Sequence, residues 1–167
     1  MGWKVSEVRR VYSIAMRYVM FLVATLILGV GPARAEWLPA AEIQPRVEYH
    51  IREVGALIEH FETFVAGECP RFTTTADWET YAESEIDRML LLAAHAEQAW
   101  VEAKRTGDDD VRRFAKAPRR RLDDAPQIVN KLSACAEDNG ATLSPGSVYR
   151  RLERDLPRRQ SEIALPR

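Results

Sequence analysis

The feature that most constrains the fold is an apolar stripe in the middle of the chain. Apolar side chains recur every three or four residues from Trp78 to Ala103, and this spacing aligns them on one face of an α-helix. Thr74 and Asp77 stand before the stripe as in a capping box, and Gly107 follows it as a helix stop. Such a helix must bury its apolar face against other elements. The stripe comprises Trp78, Ala82, Ile86, Met89, Ala93, Ala96, Trp100 and Ala103.

Two further long helices are predicted on either side of this one. The first begins at Pro45, because proline suits the first helical turn, and ends at Gly67. After a break at Pro118 and Pro126, which each lack an amide donor, the third ends at Asn139-Gly140. A short fourth helix starts at Ser144-Pro145.

The predicted fold class is therefore all-α, a small bundle of three long helices plus a short C-terminal helix. The tail from about Pro157 is expected to be frayed, since proline interrupts helical hydrogen bonding. No alternating strand pattern longer than a few residues follows Glu36. The predicted core comprises Val47, Ile51, Val54, Ile58, Phe61, Met89, Trp100, Ile128 and Leu132.

The N-terminal segment has the organisation of a secretory signal peptide. Basic residues precede an uninterrupted apolar run over residues 18–31, and the triplet Ala33-Arg34-Ala35 follows with small residues where signal peptidase requires them. The alternative is an uncleaved anchor, but the run is shorter than the roughly 20 residues that span a bilayer as a helix. We therefore predict a signal peptide over 1–35 and one exported domain over 36–167, in the periplasm or secreted, with no stable membrane span after cleavage.

Two cysteines, Cys69 and Cys135, make up the whole cysteine content. An exported domain reaches a compartment where disulfides persist, so the two are expected to pair. In an up-down-up arrangement the first and third long helices run parallel, which places both cysteines at the same end of the bundle. The predicted disulfide and the predicted topology agree.

Charge is divided unevenly along the exported part. Residues 36–103 hold 14 acidic and 4 basic side chains, whereas residues 104–167 hold 10 acidic and 15 basic ones. The two halves either offer separate surfaces to separate partners or attract each other within one bundle. The second interpretation is favoured, because oppositely charged helices that pack side by side attract each other. Nucleic acid is not an expected partner, because the exported part is acidic overall.

The densest basic segment is a possible patch for an anionic partner, such as an envelope protein or an anionic envelope component. Aspartates over 108–110 and 123–124 flank it, so a self-neutralised, solvated connector is the competing interpretation. The patch comprises Arg112, Arg113, Lys116, Arg119, Arg120 and Arg121.

Each candidate catalytic or cofactor-binding residue is explained at least as well by a structural role. We therefore predict neither a cofactor nor a metal. His50 precedes Glu53 by three residues, but the chain lacks Glu-x-x-His pairs, Cys-x-x-Cys-His, Gly-x-Ser-x-Gly and a glycine-rich phosphate loop. His60 and His95 fall largely on polar helix faces and are expected to be structural or solvated. Trp78, Tyr81 and Trp100 are expected in the core rather than in a ligand groove.

The functional expectation is a non-enzymatic binding, inhibitor or chaperone-like protein. The alternative is a small exported helical enzyme with an interhelical pocket, similar to secreted chorismate mutases in architecture only. An enzyme would bring ionisable groups from different helices into one concave pocket, and Arg52, Arg88 and Glu53 or Glu85 are the groups to test. A binder would carry its charges on convex faces.

Overall fold

The structure is a computed structural model that describes residues 37–164, and within that range it contains helices and no β-strand. The predicted all-α class is confirmed. Two long antiparallel helices are followed by a short helical connector, a third helix and a C-terminal helix. In chain order these are α1 (Ala40–Ala66), α2 (Thr75–Ala103), α3 (Asp109–Phe114), α4 (Ala117–Arg120), a 3₁₀ turn (Arg121–Asp124), α5 (Ala125–Asp138) and α6 (Pro145–Ile163).

Local sequence chemistry sets several helix boundaries, among them the predicted ones at Thr74 and Gly140. The Thr74 hydroxyl accepts the Asp77 amide at 3.2 Å and donates to the Asp77 carboxylate at 2.7 Å, which fixes the start of α2. The Asp108 carboxylate accepts the amides of Asp110 and Val111 at 2.9 and 3.0 Å and caps α3. Gly140 has a φ of 67°, the left-handed conformation that ends α5.

Two predicted boundaries are wrong, and both involve proline. The helix α1 begins at Ala40 and contains Pro45, because the fully buried Ile43 anchors a turn that precedes the proline. The helix α6 continues through Pro157 to Ile163 instead of fraying. The lost hydrogen bond at Pro157 is offset by tertiary contacts beyond it, in which Gln160 donates to Gln98 at 3.1 Å.

The apolar core has two parts, and α2 contributes to both. The larger part lies between α1, α2, α5 and α6, and the smaller part joins the start of α1 to the end of α2 and to α3. Six of the nine predicted core residues are buried, whereas Ile51, Ile58 and Trp100 are partly buried and pack against these clusters. The smaller cluster contains Ile43, Val47, Ala103, Val111 and Ala115.

The predicted Cys69–Cys135 disulfide is present, with the two Cα atoms 5.1 Å apart. It joins the loop after α1 to the last turn of α5. Asn139 supports the same junction, because its side-chain oxygen accepts the Phe72 amide at 2.9 Å and its nitrogen donates to the Pro70 carbonyl at 2.9 Å. The end of α5 is therefore attached covalently and by hydrogen bonds to the α1–α2 loop.

The acidic first half and the basic second half of the described residues form ion pairs with each other within the bundle. Basic residues of the second half bind acidic residues on α1 and α2, which confirms the interpretation that the two halves attract each other. Each exposed pair contributes at most about 1 kcal/mol, so the set orients helices more than it stabilises them. The pairs are Arg119–Glu97, Arg121–Glu62, Arg151–Glu83, Arg151–Asp87 and Arg159–Asp87.

Two glycines give a matched stability prediction. Gly140→Ala should lower the free energy of unfolding by about 1 kcal/mol, because a Cβ is strained at positive φ. Gly55→Ala should raise it by about 0.5–1 kcal/mol, because Gly55 lies inside α1, where a Cβ would meet nothing within 4 Å. Urea unfolding of the two variants checks both signs, and equal effects would contradict the left-handed conformation at Gly140.

The predicted signal peptide, residues 1–35, lies outside the described residues. Among residues 37–164, no helix combines the length and the apolar character needed to cross a bilayer.

Candidate functional site

The predicted basic patch is distributed over three short elements, and four of its six side chains form ion pairs. Arg119 binds Glu97 of α2 at 2.9 Å, and Arg121 binds Glu62 of α1 at 2.5 Å. Both guanidinium groups therefore hold the connector against the long helices. The two remaining pairs are local, Arg113–Asp110 at 3.2 Å and Arg112–Asp109 at 3.9 Å.

One part of this patch lies beside exposed aromatic rings. The Arg112 guanidinium stacks 4.2 Å from the centre of the Trp37 ring, and Trp37 is 56 % exposed. The ammonium groups of Lys104 and Lys116 lie 5.1 and 5.4 Å from the centre of the Trp100 ring. We call this region the aromatic–basic surface, and it consists of Trp37, Trp100, Lys104, Arg112, Phe114 and Lys116.

The smaller core cluster positions this surface. Val111 of α3 and Ala115, the residue that follows the helix, are buried, which leaves Arg112 and Phe114 on opposite flanks of α3. Phe114 remains 48 % exposed. Gly107 lets Trp37 approach closely, since a Cβ at Gly107 would lie only 3.3 Å from the indole ring. The surface is thus displayed on a packed base.

A second group of functional side chains surrounds the buried carboxylate of Glu85, which is 1 % exposed. One oxygen of Glu85 binds the Arg88 guanidinium at 2.6 Å, and the other binds His60 of α1 at 2.7 Å. Burial, followed by the neighbouring Glu85 charge, raises the pKa of Tyr81 to about 12. This cluster brings together Arg88 and Glu85 of the proposed enzyme test, but Arg52 is an exposed residue outside it.

A third group is a pair of buried histidines. The Nδ1 atoms of His50 and His95 lie 2.9 Å apart, and the two residues are 0 % and 5 % exposed. Burial lowers the pKa of both rings, that of His50 to about 4 with a further contribution from His95. The prediction that His95 lies on a polar face is wrong, because α2 is covered by α1 on that side as well.

The tautomers of this pair follow from its contacts. A 2.9 Å approach requires one Nδ1 to donate and the other to accept. His50 Nε2 is buried without a hydrogen-bond partner within the described range, and a bare acceptor there is less costly than an orphaned donor. We therefore assign the shared proton to His50 Nδ1, with both rings neutral.

Two cavities lie elsewhere on the bundle, and neither includes the Glu85 cluster or the histidine pair. The first, about 290 Å³, lies between α1, α2 and the start of α5, with Phe61, Leu92 and Ile128 in its wall and Arg121 at its edge. The second, about 360 Å³, lies between α2 and the start of α6 and holds several arginines. Within residues 37–164, no group of three or more His, Cys, Asp or Glu side chains is placed to hold a metal ion.

The sequence identified Arg112 and Lys116 of the aromatic–basic surface, but not Lys104 or the exposed rings of Trp37 and Phe114. Trp37 is far from Arg112 in sequence, and only the fold shows that they stack. The available signal was Phe114, whose neighbours Val111 and Ala115 occupy the buried positions of a short helix. No protein-family model, curated protein or solved structure matches this chain.

Proposed function

We propose that the protein is an exported, non-enzymatic binding protein that engages a protein partner through the aromatic–basic surface. The observation that carries this proposal is the exposure of two large apolar side chains at α3, Trp37 stacked on Arg112 and Phe114 on the opposite flank of the helix. Exposed Trp and Arg side chains dominate the binding energy of protein interfaces. Here the smaller core cluster holds them at the surface, where a bound partner would bury them.

The mixed charge around these rings favours a protein partner over an anionic membrane. Asp109 and Asp110 accompany the cations and are 88 % and 87 % exposed at the side chain. Carboxylates so placed would be repelled by anionic headgroups, whereas a protein surface can match both signs. The charged rim then sets orientation, and the aromatic centre supplies affinity.

Export is supported by two independent features of the chain. The disulfide is of a kind that persists in oxidising compartments. The apolar run over 18–31 with Ala33-Arg34-Ala35 has the signature of a cleavable signal peptide. Together they indicate a partner in the periplasm or outside the cell.

The alternative function, a small helical enzyme, is favoured by the Glu85 cluster alone. Three ionisable groups, His60 of α1 and Tyr81 and Arg88 of α2, meet there around one buried carboxylate, as active sites often require. Both carboxylate oxygens are already bound by protein groups, however, and the cluster lines neither of the two cavities described above. The arrangement is that of a closed network that holds α1 on α2.

The proposed function is tested by affinity capture from envelope extract with the disulfide-bonded protein. We expect a specific protein that is captured by the wild type to be lost, by about tenfold or more, with Trp37→Ala/Phe114→Ala, since interface aromatics often contribute 2 kcal/mol or more. Tyr149→Ala is the matched control, because Tyr149 is an exposed aromatic residue of α6 outside the surface. Titration of the purified partner against each variant then gives the affinities.

Two results would contradict the proposal. One is equal capture by the wild type and the double aromatic variant when circular dichroism shows both to be folded. The other is a loss of capture with Tyr149→Ala that is as large as the loss with the double variant. Arg119 and Arg121 are poor test positions, because both hold the connector against α1 and α2.

A further inference from the structure

The second cavity is a groove between α2 and the first turns of α6 whose polar lining is dominated by arginine. Three guanidinium groups and one carboxylate share a space of about 360 Å³. We call it the arginine groove, and it is lined by Glu83, Ile86, Leu143, Ser147, Val148, Arg150, Arg151 and Arg154.

The three arginines differ in how far their charge is already neutralised. Arg151 is bound to Glu83 and Asp87 of α2 and is 25 % exposed, so it holds α6 in place. Arg154 is bound to its neighbour Asp155 at 2.9 Å but is 71 % exposed. Arg150 forms no ion pair with any residue of 37–164. Among the residues that line the groove, three arginines accompany one carboxylate, so the lining itself is net positive, and Arg150 is its unpaired cation within the described range.

The start of α6 adds to this positive potential. The helix has no side-chain cap at Ser144 and no acidic residue in its first turn. The helix end carries a partial positive charge, but within the first turn only Gly146 has an amide hydrogen to offer, because Pro145 has none and the amides of Ser147 and Val148 bond the Ser144 carbonyl. The Nη1 atom of Arg150 nevertheless lies over this turn, 3.6 Å from the position that a Cβ of Gly146 would occupy. An anion between the guanidinium and the helix end would be stabilised by both.

The remaining lining is apolar. Leu143 is partly buried and supplies the accessible apolar part of the groove, whereas Ile86 and Val148 are 3 % and 1 % exposed and are already covered by the protein. A bare inorganic anion would leave this surface uncovered. A ligand that carries an apolar group next to its charge would cover it and gain the corresponding hydrophobic free energy.

We propose that the arginine groove binds a phosphate monoester carried on a small apolar group, with Arg150 and Arg154 as its cationic ligands. Arginine matches the geometry of phosphate with paired N–H donors, and a phosphate monoester is mostly dianionic near neutral pH. The same chemistry occurs in free phosphorylated metabolites and in the headgroup of phosphatidic acid. The site is independent of the aromatic–basic surface and stands or falls separately from the proposed function.

The first experiment is calorimetric titration of phenyl phosphate into the purified disulfide-bonded protein at about pH 7.5, where the ester is largely dianionic. We expect phenyl phosphate to bind more tightly than inorganic phosphate, because the ring covers the partly buried Leu143. Arg150→Gln/Arg154→Gln should weaken binding by about tenfold or more, since two charge-assisted contacts are lost. Arg113→Gln is the control, because Arg113 is also an exposed arginine with an acidic neighbour.

Flotation with vesicles identifies the source of the phosphate. Binding to vesicles that contain phosphatidic acid, but not to pure phosphatidylcholine vesicles, with loss in Arg150→Gln/Arg154→Gln, supports a lipid headgroup. Binding of phenyl phosphate without vesicle flotation supports a free phosphorylated metabolite. The proposal is overturned if neither probe binds, or if the double variant binds both probes as the wild type does while Arg151 still holds α6 in a folded protein.

Discussion

Removing the Cys69–Cys135 disulfide should lower the free energy of unfolding by about 4 kcal/mol. The two cysteines are separated by 66 residues in sequence, so the cross-link excludes a large set of extended conformations from the unfolded chain. Cys135 is fully buried, and the matched variant is therefore Cys69→Ala/Cys135→Ala, which avoids burying a hydroxyl group. Urea unfolding of the variant and of the wild type, with and without reductant, measures the loss.

The reductant itself provides the control for this prediction. It should destabilise the wild type and leave the double alanine variant unchanged, because that variant has no cysteine left. Hydrogen exchange should increase first at Phe72, whose amide is bound to Asn139 at the same junction. A wild type equally stable in both states would show that the α1–α2 loop and α5 are held together without the disulfide.

Features encoded by local chemistry could be predicted from the sequence. The start of α2 at Thr74, the cap of α3 at Asp108 and the stop at Gly140 each depend on residues within one helical turn. The disulfide was also predictable, since two cysteines offer a single pairing and the order of helices placed both at one end. In each of these cases one local cap or one covalent bond decides the conformation, and the residues that form it can be read from the sequence.

Features decided by tertiary contacts could not be predicted in the same way. Pro157 normally ends a helix, but Arg159 and Gln160 beyond it bind Asp87 and Gln98 of α2. The burial of His95 had a similar origin, because α2 packs against α1 and α6 and buries polar residues on several faces. In a helix with one covered face, the apolar stripe predicts which residues are buried. In a central helix such as α2, residues outside the stripe are buried as well.

The candidate sites follow the same division. The basic segment was visible as a run of residues, but its pairing with Glu62 and Glu97 depends on which helices surround the connector. The stacking of Trp37 on Arg112 and the convergence of arginines beside Ile86 join distant parts of the chain. Charge can be read from sequence, but the geometry that makes it a site requires the fold.

The second large effect concerns pH. We expect the free energy of unfolding to fall by about 2 kcal/mol between pH 7 and pH 5 through His50, with a further loss from His95. The pKa of His50 is lowered from 6.5 to about 4 by burial and by His95, and that of His95 is lowered by burial. Glu102 and Glu53 raise these pKa values and so partly oppose the shift.

The sign follows from proton binding. Between about pH 6.5 and pH 4 the unfolded chain protonates His50 and the folded protein does not, and the lowered pKa of His95 acts in the same direction, so acid favours unfolding. The stabilising contribution is complete above pH 6.5 and is lost as the pH falls toward the folded pKa. Most carboxylates titrate below about pH 5, so the loss between pH 7 and pH 5 separates the histidine contribution from general acid denaturation.

Urea unfolding at several pH values measures this loss, with His50→Leu/His95→Leu as the test variant and His60→Gln as the control. The test variant should lose most of its pH dependence between pH 7 and pH 5, whereas the control should keep it, because His60 is partly exposed and bound to Glu85. If the test variant does not fold, NMR of the wild-type imidazole rings gives the same answer. Titration of His50 near its ordinary value of 6.5 would show that the buried ring is accessible to protons and that this source of acid sensitivity does not exist.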